Sequence, residues 1–407
     1  MINLKYKNNK WDFWIDRGGT FTDIVAIDPN GVFHTKKILS HNPSFYKDSI
    51  IEGIRQFLKI KKNKRICSNL ISEVRIGTTV ATNTLLTKAG DKTCLFITKG
   101  FKDSLKIGDQ SRLDIFARRI IPHKILYDNV YEISERLSNT GKVLVKIDIQ
   151  NAKTLMKKAL NKGYKSAAIV LIHAWKYPKH EKILKKIAIE LGFRNVCISY
   201  DTAPLIGLNS RGDTTVVDAY LTPKLNRYTK NISLNIKNTK IFYIKSTGGL
   251  TSSKNFSGKD AVLSGPAGGV IAAVETNKLY KNYEGIIGLD MGGTSTDVFH
   301  YKDHYERSHE NIIAGNKIKV PMLNINTIAA GGGSIIKLEG SKITVGPESA
   351  GASPGPACYG MGGPATITDC NLVLGYIQAN NFPKIFGKYS NKPIDRRTSI
   401  KALKKIT

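Results

Sequence analysis

Residues 16–23, with the sequence DRGGTFTD, recur in the second half of the chain as residues 290–297, with the sequence DMGGTSTD. The two copies differ only at their second and sixth positions. Each copy follows a short apolar run and precedes another, which predicts a strand, a tight loop and a second strand in both places. Ordinary hairpin turns do not need this set of hydroxyl and carboxylate groups, so the repeat indicates a duplicated functional unit.

The repeated loops have the composition of a phosphate-binding site. Paired glycines permit positive φ and a close approach of the backbone to a ligand. The backbone N–H groups of such loops can converge on anionic oxygens, and the threonine hydroxyls add further donors. The residues predicted to bind phosphate are Gly18, Gly19, Thr20, Thr22 and Asp23 in the first loop, and Gly292, Gly293, Thr294, Thr296 and Asp297 in the second.

The first aspartate of each loop is predicted to be catalytic. A carboxylate repels phosphate, so Asp16 and Asp290 are better suited to hold Mg²⁺, either directly or through water. One loop from each of two lobes would then grip the polyphosphate of a nucleotide at a shared cleft. The alternative is a pair of glycine turns with purely structural roles.

Strand-like and helical segments alternate around the loops, which indicates an α/β fold class. Residues 93–98 and 167–173 are predicted strands, and residues 179–191 and 214–231 are predicted helices. A length of 407 residues favours more than one domain. We predict an N-terminal domain over residues 1–194, with the first loop, and a second domain over residues 195–407, with the second loop.

Composition limits the partners of the chain. The 62 basic and 32 acidic residues give a net charge of +30, but the basic residues are dispersed and aromatic residues do not interleave with them. A specific nucleic-acid function is therefore not predicted. No apolar run is long enough for a membrane span, and the N-terminus has no export signal. The five cysteines form no paired pattern, which favours a cytoplasmic location.

The duplicated loop resembles the phosphate motifs of the actin, sugar kinase and Hsp70 ATPase superfamily. The surrounding sequence resembles, more specifically, the 5-oxoprolinase and hydantoinase A family. The resembling stretches are residues 13–23 (FWIDRGGTFTD), 75–86 (RIGTTVATNTLL), 98–110 (TKGFKDSLKIGDQ), 217–223 (VDAYLTP), 264–269 (SGPAGG), 289–298 (LDMGGTSTDV), 324–334 (NINTIAAGGGS) and 345–359 (VGPESAGASPGPACY). They occur in the order of the family and span nearly the whole chain, and residues 382–387 (FPKIFG) are closer to oxoprolinases than to hydantoinases.

The resemblance implies two ribonuclease H-like lobes of the actin-like ATPase type around a nucleotide cleft, with the second lobe incomplete at the C-terminus. It implies ATP and Mg²⁺ as cofactors and a small cyclic amide as substrate. The implied reaction is the ring opening of 5-oxoproline to glutamate after phosphorylation of the amide carbonyl oxygen. A hydantoinase B-type subunit or domain and an oligomeric assembly are implied as well.

Two alternative functions remain open at this point. One is a hydantoinase or acetone carboxylase-type component that uses the same phosphorylation on another carbonyl substrate. The other is a non-catalytic, nucleotide-binding remnant. The sequence is compatible with a gene fragment or with one part of a split gene.

A glycine-rich segment after an apolar run offers a further nucleotide contact. Gly331, Gly332, Gly333 and Ser334 are predicted to approach the adenosine or its phosphates, because a nucleotide lies against closely approaching backbone. The alternative is a tight turn that packs against a helix.

Candidate substrate residues lie in two other places. Thr78, Thr79 and Asn83 open a helical pattern, where free N–H groups suit either a helix cap or an anion. Arg112 and Arg211 are able to pair with a substrate carboxylate through two parallel hydrogen bonds. For both arginines the alternative is an ordinary surface residue.

Overall fold

The structure is a computed structural model. It describes residues 9–61, 64–109, 116, 125–280, 283–387 and 389–406. Helices and strands alternate through much of these residues, so the α/β prediction is confirmed. Within the described residues, no helix combines the length and the apolar character needed to cross a membrane.

The strands are, in chain order, β1 (Trp11–Arg17), β2 (Phe21–Ile27), β3 (Phe33–Leu39), β4 (Ile71–Thr78), β5 (Thr93–Thr98), β6 (Asn129–Ile133), β7 (Arg136–Leu137), β8 (Val143–Val145), β9 (Ser166–Val170), β10 (Asn195–Ile198), β11 (Lys240–Ile244), β12 (Leu250–Ser252), β13 (Ile286–Met291), β14 (Thr296–Lys302), β15 (His304–Tyr305), β16 (Arg307–Ser308), β17 (Asn311–Ile313), β18 (Asn316–Ile318), β19 (Met322–Leu323), β20 (Asn326–Ile328), β21 (Ser334–Glu339) and β22 (Lys342–Ser349).

The helices are α1 (Ser49–Phe57), α2 (Val80–Leu86), α3 (Ser104–Ile107), α4 (Ile149–Asn161), α5 (Lys179–Leu191), α6 (Ser199–Thr202), α7 (Leu208–Asn235), α8 (Gly258–Ala261), α9 (Ser264–Tyr280), α10 (Ile367–Leu374) and α11 (Arg396–Leu403). Several begin at side-chain caps. The carboxylate of Asp48 accepts hydrogen bonds from the backbone N–H groups of Ile50 and Ile51 at the start of α1, for example.

The first loop lies in a six-stranded mixed sheet with the order β12-β11-β4-β1-β2-β3. Strand β1 is central in this sheet: it pairs with β2 in antiparallel orientation and with β4 in parallel orientation. Phe13 and Ile15 of β1 are buried in the largest core cluster, with residues of α1, α7 and α9. The strand that ends at the first loop is thus held on both edges and on its buried face.

A second sheet of four parallel strands has the order β10-β9-β5-β6. Its central strands β5 and β9 are buried throughout, as expected for a parallel sheet covered on both faces. Helix α7 contributes residues to the core clusters of both this sheet and the first sheet. Its position fixes the two sheets relative to each other.

The second loop lies in a smaller sheet in which β14 pairs with β13, β15 and β20. Strand β13 pairs with β14 alone among the described strands, so one of its edges is open. The predicted division between residues 194 and 195 stays a prediction. Sheet membership crosses it, because β11 and β12 lie C-terminal to the division and pair with the sheet of the first loop.

Candidate functional site

The two repeats form matching hairpins. In the first, Asp16 lies opposite Asp23 across β1 and β2, and in the second, Asp290 lies opposite Asp297 across β13 and β14. The predicted arrangement of strand, tight loop and strand is confirmed in both places. The same register places each catalytic candidate at the same point of its hairpin.

The same backbone hydrogen bond closes both loops. The N–H group of Gly18 donates to the carbonyl of Phe21, and that of Gly292 donates to the carbonyl of Ser295, each at 2.9 Å. None of the loop glycines, all of which the structure describes, has φ in the left-handed region. The prediction of positive φ at these glycines is therefore wrong, and the glycines are required for another reason.

That reason is the close approach of one loop to the other. A Cβ atom added to Gly293 would overlap the side chain of Thr20, whose own Cβ would lie only 2.8 Å away. A Cβ atom added to Gly19 would lie 3.2 Å from Oγ1 of Thr294. The threonine of each loop thus packs against a glycine of the other. The prediction that the two loops face each other is confirmed.

The carboxylates of the two hairpins influence each other. Partial removal from bulk water, followed by the charges of Asp23 and Asp290, raises the pKa of Asp16 to about 6. Burial and the charge of Asp290 also raise the pKa of Asp297, against a lowering hydrogen bond from Thr327. The loops therefore form one electrostatic unit with a local excess of negative charge, which a cation would relieve.

The neighbours of Asp16 explain a second glycine-rich motif. Oδ1 of Asp16 would lie 3.2 Å from a Cβ atom on Gly77 and 3.4 Å from one on Gly265. Gly265 belongs to the first turn of α9. Gly265, in the motif SGPAGG at residues 264–269, thus keeps space beside the Asp16 carboxylate.

The residues present fit a magnesium ion that is bound together with phosphate. Mg²⁺ commonly takes one or two protein carboxylates and completes its shell with phosphate oxygens and water. Asp16 and Asp290 supply two such carboxylates, and Oγ1 of Thr20 is a buried polar atom with no hydrogen-bond partner in the structure. No group of three or more potential metal-ligating side chains exists among the described residues, so the fit depends on a phosphate ligand.

Two predicted phosphate donors have other partners. Oγ1 of Thr22 lies 3.0 Å from Oγ of Ser40 and 2.8 Å from Oγ of Ser49, in a buried cluster. Oγ1 of Thr296 donates to the carbonyl of Ala330 at 2.6 Å. These hydroxyls brace the hairpins, and their predicted contact with phosphate stays a prediction.

The segment Gly331–Ser334 packs directly on the second loop. The N–H groups of Gly332 and Gly333 donate to the carbonyls of Gly292 and Gly293 at 2.9 Å and 2.7 Å. A Cβ atom on Gly331 would lie 2.7 Å from the carbonyl oxygen of Gly292. The turn also packs against a helix, because the N–H group and Oγ1 of Thr368, in the first turn of α10, donate to the carbonyl of Gly332 at 2.7 Å and 2.8 Å. The alternative of a tight turn that packs against a helix therefore agrees with the structure. Contact with a nucleotide stays a prediction.

A cavity of about 290 Å³ adjoins the first loop. Gly18 and Gly19 line one side of it, and Thr79 and Asn83 line another. Thr78 is buried, and its N–H group donates to Oγ of Ser264 at 3.2 Å. Of the three candidates in this stretch, Thr79 and Asn83 are thus the ones placed to meet a ligand.

Arg17 is a residue of the site that the sequence alone did not indicate. Its guanidinium lies over the ring of Tyr228, with 5.0 Å between Cζ and the ring centroid, and it lines the same cavity. The repeat contains a signal for it, because Arg17 lies at a position where the two copies differ: the second loop has Met291 in its place.

The other position where the copies differ, Phe21 in the first loop, also has a structural reason. Phe21 packs on Tyr359 and Phe386 from the C-terminal part of the chain.

The prediction that Arg211 contacts substrate is wrong. Its side chain is only 1% exposed, and its guanidinium donates to Oγ of Ser199 and to the carbonyls of Leu171 and Leu205 at 2.7–2.9 Å. The nearby Glu181 carboxylate is buried as well, which raises its pKa to about 7. Arg211 thus links α7 to the segments that follow β9 and β10. Arg112 lies outside the described residues.

Comparison with known proteins gives two matches to sequence models of one family. The model of the hydantoinase/oxoprolinase N-terminal region matches residues 12–192, and the hydantoinase/oxoprolinase model matches residues 211–407. The 5-oxoprolinase 1 of Arabidopsis thaliana is 42% identical over 98% of this chain. The chain spans about a third of that relative's length, 34%.

Two solved structures have a similar fold. The nucleotide-free structure of an acetone carboxylase aligns with a TM-score of 0.77 and 23% identity, over 97% of this chain and 58% of that one. The ATP-dependent caprolactamase of Pseudomonas jessenii aligns with a TM-score of 0.71 and 30% identity, over the same shares of the two chains. The predicted fold class, α/β lobes of the actin-like ATPase type, is confirmed by these neighbours.

Proposed function

The chain belongs to the hydantoinase/oxoprolinase family, and from that premise we propose that it carries the nucleotide site of an ATP-dependent enzyme that opens a cyclic amide, with 5-oxoproline as the substrate. The observation that carries the proposal is the direct contact between the two repeated loops, with their aspartates in one electrostatic unit. Two unrelated turns would not need to meet in this way.

The proposed role of the loops is to bind and orient the polyphosphate. The backbone N–H groups and Thr20 hold the phosphate oxygens, while Asp16 and Asp290 hold Mg²⁺. The metal, when bound, neutralises charge on the phosphates during transfer. Because phosphoryl transfer depends largely on positioning and charge compensation, this set of groups is sufficient for the protein's part of the step.

The proposed reaction has two stages. The amide carbonyl oxygen of the substrate attacks the γ-phosphorus of ATP, the bond to the β-phosphate oxygen breaks, and ADP leaves. Water then adds to the activated carbon, and the carbon–nitrogen bond breaks as the nitrogen takes a proton, which leaves an acyl phosphate. A second water hydrolyses this acyl phosphate to the carboxylate and phosphate. An amide carbonyl is a poor electrophile, and phosphorylation turns its oxygen into part of a leaving group.

We also propose that the chain acts together with a partner. A hydantoinase B-type subunit or domain would complete the ring-opening site, in an oligomeric assembly. Its support is that the 5-oxoprolinase relative is about three times as long as the matched region, which covers 34% of it. A cytoplasmic location stays a prediction.

The test is a stoichiometric assay of the chain reconstituted with a hydantoinase B-type partner. We expect one glutamate and one phosphate for each ATP consumed when 5-oxoproline is the substrate, and loss of both products in the variant Asp16→Ala. Parallel assays with hydantoin, caprolactam and acetone distinguish the alternative substrates. An active complex that opens 5-oxoproline without consuming ATP would contradict the proposal.

The chain without a partner should hydrolyse ATP slowly and release no glutamate. An open cleft admits water, which competes with the amide oxygen for the phosphoryl group. Stoichiometric glutamate release by the purified chain, with no copurifying protein, would show that the partner is not needed.

A further inference from the structure

The cavity beside the first loop is lined by basic side chains and by no acidic side chain among the described residues. Arg17, His41 and Lys224 line it together with hydroxyl and amide side chains, and no aspartate or glutamate is among the described residues that line it. Its volume of about 290 Å³ is enough for a small cyclic molecule. A ligand with a negative charge would therefore complement this cavity.

Arg17 is the cation best placed to bind such a ligand. It is half-buried, and its guanidinium lies over the ring of Tyr228, with Cζ 5.0 Å from the ring centroid, which restrains the side chain at the wall of the cavity. No carboxylate in the described part of the chain forms an ion pair with it. Among the loop carboxylates, Asp23 already has a cationic partner, since it pairs with Lys37 at 2.6 Å. An arginine that lines a cavity and has no carboxylate partner suits bidentate recognition of a carboxylate.

The remaining lining groups suit the neutral part of a ligand. Nζ of Lys224 donates to the carbonyl of Ala89 at 3.2 Å, which holds this second cation at the wall of the cavity. Nδ2 of Asn83 donates to Oγ1 of Thr79 at 3.2 Å, and both side chains line the cavity next to Gly19. Amide and hydroxyl groups of this kind pair well with the N–H and carbonyl of a lactam.

We propose that this cavity binds the substrate and that Arg17 recognises a carboxylate group on it. The inference rests on the proposed function and narrows it to one substrate class, cyclic amides that carry a carboxylate. 5-Oxoproline belongs to that class, whereas hydantoin and caprolactam have no carboxylate. Because Gly18 and Gly19 form part of the cavity wall, a substrate held there would lie beside the phosphate-binding loop.

The internal repeat supports the assignment of this role to one loop. The position of Arg17 is taken by Met291 in the second loop, and Met291 is 47% exposed. The duplicated glycines, threonines and aspartates serve a function common to both loops. The arginine is specific to the first loop, as expected of a group that recognises the substrate and not the nucleotide.

The test is calorimetric titration of the chain with 5-oxoproline and with 2-pyrrolidinone, the same lactam ring without the carboxylate. We expect the wild-type chain to bind 5-oxoproline at least about tenfold more tightly, which is the lower range for a charge-assisted hydrogen bond. Arg17→Met, which installs the residue of the second loop, should abolish this preference. Arg17→Lys should retain part of it.

Arg75→Met is the matched control. Arg75 also stacks on an aromatic ring of the first sheet, Trp14 at 4.9 Å, and pairs with Glu73, but it lies outside the cavity. This variant should retain the full preference for 5-oxoproline. Thermal unfolding of each variant verifies that the fold is retained.

Three results would overturn the inference. The first is that the wild-type chain binds both lactams equally or binds neither, and the second is that Arg17→Met keeps the full preference for 5-oxoproline. The third is that Arg17→Met loses Mg·ATP binding and 5-oxoproline binding equally, which would assign the cavity to the phosphates. Failure of the proposed function has a different signature. A chain that binds no Mg·ATP but retains an Arg17-dependent preference would contradict the nucleotide site alone.

Discussion

The two loop-bearing hairpins are nearly the same in sequence and differ in their surroundings. Strand β1 lies in the middle of a six-stranded sheet, and Phe13 on it is fully buried. Strand β13 has one edge with no partner among the described strands, and Ile287 and Leu289 on it are 79% and 71% exposed. Eight residues are thus enough to set the loop geometry, while the neighbouring strands and helices determine how firmly each loop is held.

This comparison predicts the largest effect for truncation of the two strands. Phe13→Ala should lower the free energy of unfolding by about 3–5 kcal/mol, because it leaves a cavity in the main core. Leu289→Ala removes a side chain that is mostly in solvent, so it should change stability by less than about 0.5 kcal/mol. Urea unfolding of the two variants measures both values.

Ile51→Val is a suitable reference, since it removes one methyl group from the same core and should cost about 1 kcal/mol. Equal losses in Phe13→Ala and Leu289→Ala would mean that β13 is as well covered as β1. The comparison between the hairpins would then be wrong.

The contact between the loops predicts that alanine substitutions at Gly293 and Gly19 differ in their effect on stability, by an intermediate amount. Gly293→Ala would force its new methyl group into Thr20 and should cost about 1–3 kcal/mol. Gly19→Ala meets Thr294 at 3.2 Å, where a small shift is sufficient, so it should cost less than about 1 kcal/mol. The double variant Gly293→Ala, Thr20→Ser keeps most of the clash, whereas Gly293→Ala with Thr20→Gly relieves it. Thermal unfolding that ranks Gly19→Ala as the more destabilising variant would contradict the described loop contact.

The smallest predicted effect is a change in the pKa of Asp16. Because the charge of Asp290 helps to raise the pKa of Asp16 to about 6, Asp290→Asn should lower that pKa, and burial and Asp23 should keep it above the ordinary value. Asp28→Asn, a change at a carboxylate that pairs with His34, should leave it unchanged. Carbon-13 NMR of the Asp16 carboxyl group reports these values. The same pKa in wild type and Asp290→Asn would mean that the two loops do not interact electrostatically.

The raised pKa also predicts a pH dependence of metal binding. Mg²⁺ needs the ionised carboxylate, so protonation competes with it. Affinity for Mg·ATP should therefore be constant above pH 7 and fall by up to about tenfold per pH unit below pH 6. Asp16→Asn should remove this dependence together with most of the affinity. Binding that strengthens as the pH falls would contradict the assigned role.

Local patterns in the sequence were sufficient for most elements of the fold. The predicted helix over residues 179–191 matches α5, and the predicted strand over residues 93–98 matches β5. These segments have their own periodicity and clear ends. The helix predicted over residues 214–231 extends over Leu208–Asn235, and it continues through Pro223, which a local rule would read as a break.

Features that depend on long-range packing could not be predicted from local sequence patterns. The pairing of β11 with β4 joins segments more than 160 residues apart, and no local signal marks it. The burial of Arg211 depends on Ser199 and on carbonyls of two other segments, so an arginine that resembled a surface residue became part of the core. Arg17 could not be identified from the residues that the two loops share, because it lies at one of the two positions where they differ.

The central claim is that the two loops form one nucleotide site, and a calorimetric titration with Mg·ATP tests it most directly. A single shared site predicts one bound nucleotide per chain. It also predicts a loss of affinity of at least about tenfold in Asp16→Ala and in Asp290→Ala alike, with both variants still folded. Two independent sites per chain, or unchanged affinity in either variant, would contradict it.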